Sequence, residues 1–398
     1  MRLTPFIMLS ATGFFAIFSS TASKSPVLPL YAVHLGASPM EVGIVAAVST
    51  LAGILFSIPA GVFSDRWGRR TMLLVSGLIF ASAPFLYLVV ANIFQLGLVR
   101  FYHGLATAMF VPVAMAYVSE LHETAKGEKL GWFSSATLCG RFLAPVAGGG
   151  VMALAAASIF LAFGGVYLLC AMAGLMALFG VLKLPSKESS HDGKPKTQEL
   201  LASLRLMIGN PGIMLTACVE AAILFAYGTM EVFLPLYAKA MGLGVLEIGV
   251  ILSVQVITLA VTKPVMGRFS DRHGRAPQII WGALAGSLCL VGVTFCIGFV
   301  SLMAASLLFG LTLSVVTSAT SAAIADLSQC ETRGSAMGIF GTVMDIGHSS
   351  GPILCGMIAG YFGYRLAFLG AAFMLAIATV FFGIFIAYRR NLLSCPAA

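Results

Sequence analysis

The chain has 398 residues, 59% of them hydrophobic and only 10% charged, with a formal net charge of +8. Soluble domains carry about 25% charged residues, so a globular fold solvated by water on all sides is excluded. The positive charge is no nucleic-acid footprint either, because the Lys and Arg residues sort by topology.

Twelve apolar runs can be taken in order as spans 1 to 12, at approximately 5–32, 40–63, 71–91, 94–120, 130–154, 157–182, 211–239, 246–266, 277–298, 300–326, 335–361 and 366–388. Each approaches or exceeds the roughly 20 residues that a helix needs to cross a bilayer. The runs are continuous rather than alternating, which argues against a transmembrane barrel. Span 1 is too long for a cleaved signal peptide and is not closed by a small-residue cleavage site. Of the 23 Lys and Arg residues, 17 lie at even-numbered connections or at the termini and two, Lys239 and Arg365, at odd-numbered ones. The other four, Lys24, Arg100, Arg141 and Lys263, are inside spans. This split predicts a multi-pass protein of the plasma membrane (the inner membrane, if bacterial) with both termini in the cytoplasm.

A polar stretch at 183–205 is the one substantial break. It predicts an N-terminal six-helix bundle at 1–182, a cytoplasmic linker at 183–205 and a C-terminal six-helix bundle at 206–398. Residues 200–208 fit a short amphipathic helix on the inner membrane surface. Cys139, Cys170, Cys218, Cys289, Cys296 and Cys355 fall inside spans without metal-ligand spacing and read as small apolar packing residues. No metal or cofactor is expected.

The two bundles repeat each other 206 or 207 positions apart. Leu28-Pro-Leu-Tyr-Ala32 returns as Leu234-Pro-Leu-Tyr-Ala238, and Gly61, Asp65, Arg66, Gly68 and Arg69 return as Gly267, Asp271, Arg272, Gly274 and Arg275. Gly131, Gly140, Pro145 and Gly149 return as Gly338, Gly347, Pro352 and Gly356. Two similar halves in an apolar chain are the sign of a transporter whose halves rock about a shared cavity.

In chain order, the chemistry begins at Lys24 and Pro26-Val-Leu-Pro29 in span 1. The loop after span 2 runs Gly61-Val-Phe-Ser-Asp65-Arg66-Trp-Gly68-Arg69-Arg70. There Gly61 allows close helix approach, Gly68 a tight turn, and Asp65 can accept from the amides that open span 11. The arginines can pair with Glu120 at the inner end of span 4, and Asp326 is the counterpart of Glu120. Span 4 carries Leu96-x-x-x-Arg100-x-x-His103-Gly104, where the second half has Ser306 and Phe309 instead of the two basic residues. Span 5 carries Gly131-x8-Gly140-x3-Ala144-Pro145-x2-Gly148-Gly149, and span 11 carries Gly338-x8-Gly347-x3-Gly351-Pro352-x2-Cys355-Gly356. Small residues permit close contact, and proline frees a carbonyl and bends a helix.

These motifs resemble those of the major facilitator superfamily. They match its loop 2–3 signature, its helix 4 motif with His103 in place of the usual Gln, and its helix 5 antiporter motif with Ala144 in place of one Gly. Pro26-Val-Leu-Pro29 resembles the tail of a motif of twelve-helix drug exporters, whose leading Leu-Gly is Ser19-Ser20 here. The resemblance implies an all-α membrane protein with two pseudo-symmetric six-helix bundles, working by alternating access. Spans 1, 4, 7 and 10 would line the cavity and spans 2, 5, 8 and 11 would form the moving interface. Arg100 would be linked to proton coupling and the helix 5 motif to export.

Seven ionisable residues within the spans stand out: Lys24, Arg100, Arg141, Glu220, Glu231, Asp345 and His348. A charge at the bilayer centre costs about 2.5–3.5 kcal/mol on insertion scales, so such residues face water or partners. Asp345 and His348 share a helix face, and Arg141 occupies the place in the first half that His348 occupies in the second. Glu220 or Asp345 is the candidate for carrying a coupling proton, with Arg141 and Arg100 adjusting its affinity. Lys24 and Glu231 are candidates for an outer gate, mirrored on the inner side by Asp65 and Asp271. The reading is a non-enzymatic proton-coupled exporter of a small amphipathic molecule, acting as a monomer in lipid and binding no nucleic acid. Uptake of a sugar or organic acid by symport is the alternative.

Overall fold

The computed structural model describes residues 4–121, 126–155, 157–185, 210–328 and 333–394. The amphipathic segment expected at 200–208, and the 183–205 linker beyond Pro185, lie outside the described residues. Twelve long helical stretches follow one another, and no strand occurs among the described residues. They are α1 (Pro5–His34), α2 (Pro39–Trp67), α3 (Arg69–Tyr87), α4 (Ile93–Leu121), α5 (Lys126–Leu154), α6 (Ile159–Leu182), α7 (Pro211–Ala240), α8 (Val245–His273), α9 (Arg275–Val293), α10 (Phe299–Leu327), α11 (Arg333–Phe362) and α12 (Tyr364–Ser394). Eleven of them are long and apolar enough to cross a membrane. The remaining one, α11, is equally long, but Asp345, His348, Ser349 and Ser350 dilute its apolar character.

The expected first span is not one unbroken helix. It consists of Pro5–Ala22 and Val27–His34, interrupted at 23–26. Its counterpart α7 runs unbroken from Pro211 to Ala240 with Pro235 inside it. The sequence explains the difference. Pro29 and Pro235 correspond, but Pro26 corresponds to Val232, and two prolines three residues apart withdraw two amide donors from the same turn.

The chain divides into two compact units. Unit 1 comprises residues 1–195 and 231–253, and unit 2 comprises 196–230 and 254–398. In unit 1, α2 packs on α4, α1 on α5 and α6, and α3 on α4 and α6. In unit 2, α9 packs on α10 and α12, and α11 on α12.

The internal repeat is visible contact by contact. Gly104 of α4 lies so close to α2 that an added Cβ would stand 2.7 Å from the Ser49 Cα, and one on Gly310 of α10 would stand 2.5 Å from the Gln255 carbonyl oxygen of α8. These two pairs are 206 positions apart in sequence. Gly68 and Gly274 join α2 to α3 and α8 to α9 with φ of 87° and 90°. A single left-handed residue makes each reversal, which only glycine does without strain.

Candidate functional site

At the ends of α2 and α8 the repeated loops hold matching ion pairs. Arg69 Nε donates to Glu120 Oε1 at 2.9 Å, and Arg275 Nε donates to Asp326 Oδ2 at 3.0 Å. Arg69 also donates to Ser64 Oγ, and Arg275 Nη1 donates to Asp271 Oδ1 at 2.5 Å. Arg70 Nη2 caps the carbonyl of Leu182, at the end of α6, at 2.8 Å. Arg66 and Arg272 are exposed at the helix ends. The side chains of Gly61 and Asp65 lie outside the description. Their counterparts show that the loop's glycines have separate duties: a Cβ on Gly267 would meet nothing within 4 Å, so close helix approach does not account for that position.

Unit 1 contains a buried polar cluster. Lys24, in the break of α1, donates to Glu231 Oε2 at 2.6 Å, with the two side chains 18% and 12% exposed. Arg100 and Arg141 lie within electrostatic range of Lys24, and Arg141 is itself exposed. Arg100 is buried and donates from Nη1 to the Tyr87 hydroxyl at 3.2 Å and from Nη2 to Ser49 Oγ at 2.8 Å. His103, one turn on, places Nδ1 3.4 Å from Ser23 Oγ, beside the α1 break, and packs edge-on against Phe80. Arg100 therefore does not snorkel to a membrane surface; it is held inside the unit by hydroxyl groups.

Removing one partner of the Lys24–Glu231 pair leaves the other charge mostly buried and alone, a loss of about 3–5 kcal/mol in comparable pairs. Lys24→Gln and Glu231→Gln are each expected to lower the melting temperature of the purified protein and its transport rate. The charge-reversed double variant Lys24→Glu/Glu231→Lys should recover most of both. Full activity of both single variants would contradict the assignment.

Unit 2 contains a buried acid. Glu220 on α7 is 0% exposed, and Oε2 accepts from the Thr320 hydroxyl of α10 at 2.5 Å. Its other oxygen, Oε1, is buried with no hydrogen-bond partner among the described residues. Lys263 is its electrostatic neighbour but is exposed on α8. Asp345 and His348 are only part-buried on α11, and the His348 ring stacks on Tyr227 at 5.3 Å. Of the two candidate acids, Glu220 is thus the one fully withdrawn from solvent.

The glycine motifs of α5 and α11 serve three different contacts. A Cβ on Gly140 would stand 2.5 Å from the Phe14 carbonyl oxygen of α1. In the same way Gly347 and Gly351 abut the carbonyl oxygens of Ala221 and Phe225 on α7. Further along α5, Gly149 faces the carbonyl oxygen of Val245, while the Pro145 carbonyl abuts Gly249. Gly148 makes ordinary contacts and Gly131 meets nothing within 4 Å, so that position is not a close approach. Pro352 packs beside Gly228, Gly356 is buried, and Gly338 lies outside the described side chains.

Thr320, Tyr87 and Ser49 were not singled out from sequence, because isolated hydroxyl residues within apolar runs carry no periodic signal. The run containing Ser314, Thr317, Ser318 and Thr320 on span 10 was the available hint.

Comparison with known proteins follows the same lines. A sequence model described as Major Facilitator Superfamily matches residues 9–253 and 225–394. MJ1560 of Methanocaldococcus jannaschii, an uncharacterized MFS-type transporter, is 24% identical over 364 residues, which cover 91% of this chain and 90% of its own. Multidrug resistance protein MdtG of Escherichia coli is 26% identical over 379 residues, covering 92% and 90%. Among solved structures, a bacterial homolog of the human lysosomal transporter Spinster, inward-facing and unoccupied, superposes with a TM-score of 0.81 at 15% identity, over 99% of this chain and 98% of that one. The nucleoside transporter NupG gives 0.78 at 15% identity, over 96% and 99%.

Proposed function

Because this chain belongs to the Major Facilitator Superfamily, and is a multi-pass membrane transporter of small molecules, we propose that it exports an amphipathic molecule from the cytoplasm in exchange for protons, by alternating access. The observation that carries this reading is Glu220. A carboxyl group with no solvent exposure, one oxygen held by Thr320 and the other without a hydrogen-bond partner among the described residues, is the group placed to carry a proton as access alternates. Substrate then competes with protonation. Lys24 and Glu231 act as an outer gate. Export is supported by the α5 motif and by the similarity to MdtG, which is named a multidrug resistance protein.

Everted membrane vesicles test the direction. With an acidic lumen, vesicles containing the protein are expected to accumulate ethidium or another amphipathic dye against its gradient, several-fold above vesicles without it. Each dye that is carried should also accelerate the loss of the lumenal acid. Accumulation driven by an acidic exterior instead would establish uptake by symport.

A further inference from the structure

We propose that Thr320 on α10 is the positioning residue for proton carriage by Glu220: its hydroxyl bonds the carboxyl group in both the protonated and the ionised state, so the acid keeps one place through the cycle. This role rests on the reading that Glu220 carries the coupling proton. Thr320 is 0% exposed, and its Oγ1 lies 2.5 Å from Glu220 Oε2 and 2.9 Å from the Val316 carbonyl oxygen. A hydroxyl has one hydrogen to give and lone pairs to accept with, whereas a carbonyl oxygen only accepts. With Glu220 ionised, Thr320 donates to Oε2. With the proton on Oε2, Glu220 donates to Oγ1 and the hydroxyl hydrogen turns to the Val316 carbonyl. That carbonyl also takes the backbone N–H of Thr320 within the helix, so it keeps a partner in either state. The incoming proton stays on the carboxyl group, the hydroxyl keeps its own hydrogen, and no heavy atom has to move.

Among the described residues no other side chain hydrogen-bonds Glu220. Lys263 of α8 is its electrostatic neighbour and is exposed. On α11, which abuts α7 at Ala221 and Phe225, Asp345 and His348 are part-buried. The titratable side chains of α9 are Arg275, at its start, and Cys289; that of α10 is Asp326, at its end. Two observations separate Thr320 from an ordinary helix hydroxyl. Thr317, one turn earlier on α10 and 4% exposed, has a hydroxyl with no partner among the described residues, so burial alone does not bring a threonine of this helix to the acid. In the first repeat, Phe14 stands at the place of Glu220 and Ala114 at that of Thr320. Acid and hydroxyl are present together in one half and absent together from the other, as two groups with one task should be.

The test follows the carboxyl group itself. Purified full-length protein in lipid vesicles is titrated with acid and base while the infrared C=O stretch of protonated carboxyl groups is recorded, and the band that Glu220→Gln removes is assigned to Glu220. Hydrogen bonds to an ionised partner are roughly twice as strong as those to a neutral one, so loss of the Thr320 hydroxyl does not cancel between the two states. Thr320→Val keeps the shape of the side chain. It is expected to change the proton affinity of Glu220 about tenfold, the worth of one hydrogen bond to a charged group, which displaces the midpoint of the band's titration by about one pH unit. The band should also move to higher frequency as the acid loses its acceptor. Thr320→Ser should restore both, and Thr317→Val should alter neither. Should Thr320→Val not fold, Thr320→Ala is read by the same criteria. A band in Thr320→Val with the wild-type midpoint and frequency overturns the proposal. Equal displacement by Thr317→Val, or no recovery in Thr320→Ser, also overturns it, because either makes the effect one of packing. If Glu220→Gln removes no titrating band, Glu220 carries no proton, and the proposed function loses its carrier together with this role. With the band removed by Glu220→Gln but unmoved in Thr320→Val, the role of Thr320 alone falls.

Discussion

Glu220→Gln is expected to abolish the response of transport to a proton gradient while leaving exchange of substrate down its own gradient intact. The amide keeps the shape of the side chain and can still accept from Thr320, but it cannot take up or release a proton. Coupling free energies between two ligands are about 1–3 kcal/mol, corresponding to about 5–150-fold in affinity, and uphill accumulation should fall on that scale. In everted vesicles the pH dependence of dye uptake should flatten. Asp345→Asn is the informative comparison, because Asp345 is only part-buried. If Glu220→Gln retains wild-type pH dependence and Asp345→Asn loses it, the coupling role belongs to α11 rather than α7.

Gly351→Val should lower stability strongly. A Cβ at that position runs into the Phe225 carbonyl oxygen and comes within 2.9 Å of its carbonyl carbon and 3.1 Å of its Cα. The obstacle is helix backbone, which cannot rotate aside as a side chain can. Overpacking of this kind costs about 1–3 kcal/mol, occasionally more, and here α7 and α11 must separate along a stretch that also contains Gly347 against Ala221. Loss of a monodisperse peak in size-exclusion chromatography and a melting temperature lowered by several degrees are the expected readouts. Gly131→Ala serves as the matched control, because nothing lies within 4 Å of its added methyl group. Equal behaviour of the two variants would mean that the motif's spacing has no steric basis on α11.

The architecture was legible because it rests on a coarse signal. Apolar runs, the sorting of Lys and Arg, and a repeated set of glycines and charges suffice to place helices and loops without any knowledge of side-chain contacts. Ion pairs were legible where the repeat offered two copies: Glu120 and Asp326 stand at equivalent places, and both meet an equivalent arginine. The interruption of α1 was less so, because continuous hydropathy conceals a local loss of backbone hydrogen bonds. What the glycines touch was illegible as well. Gly131 and Gly140 belong to one motif, yet one faces open space and the other a carbonyl oxygen, and helix phase alone does not reveal which neighbour has come near. The partners of the buried charges, Tyr87, Ser49 and Thr320, depend on contacts between helices far apart in sequence and became visible only in the fold.

The Lys24–Glu231 bridge has a bearing on ancestry. Position 24 of the first repeat answers to Met230 in the second, and Glu231 answers to Ser25. A molecule assembled from two copies of the first repeat would set lysine against serine, and one built from two copies of the second would set methionine against glutamate. Either would strand a lone charge inside the membrane. The bond therefore dates from after the copies diverged, and each now depends on the other for a counter-ion that it cannot itself supply.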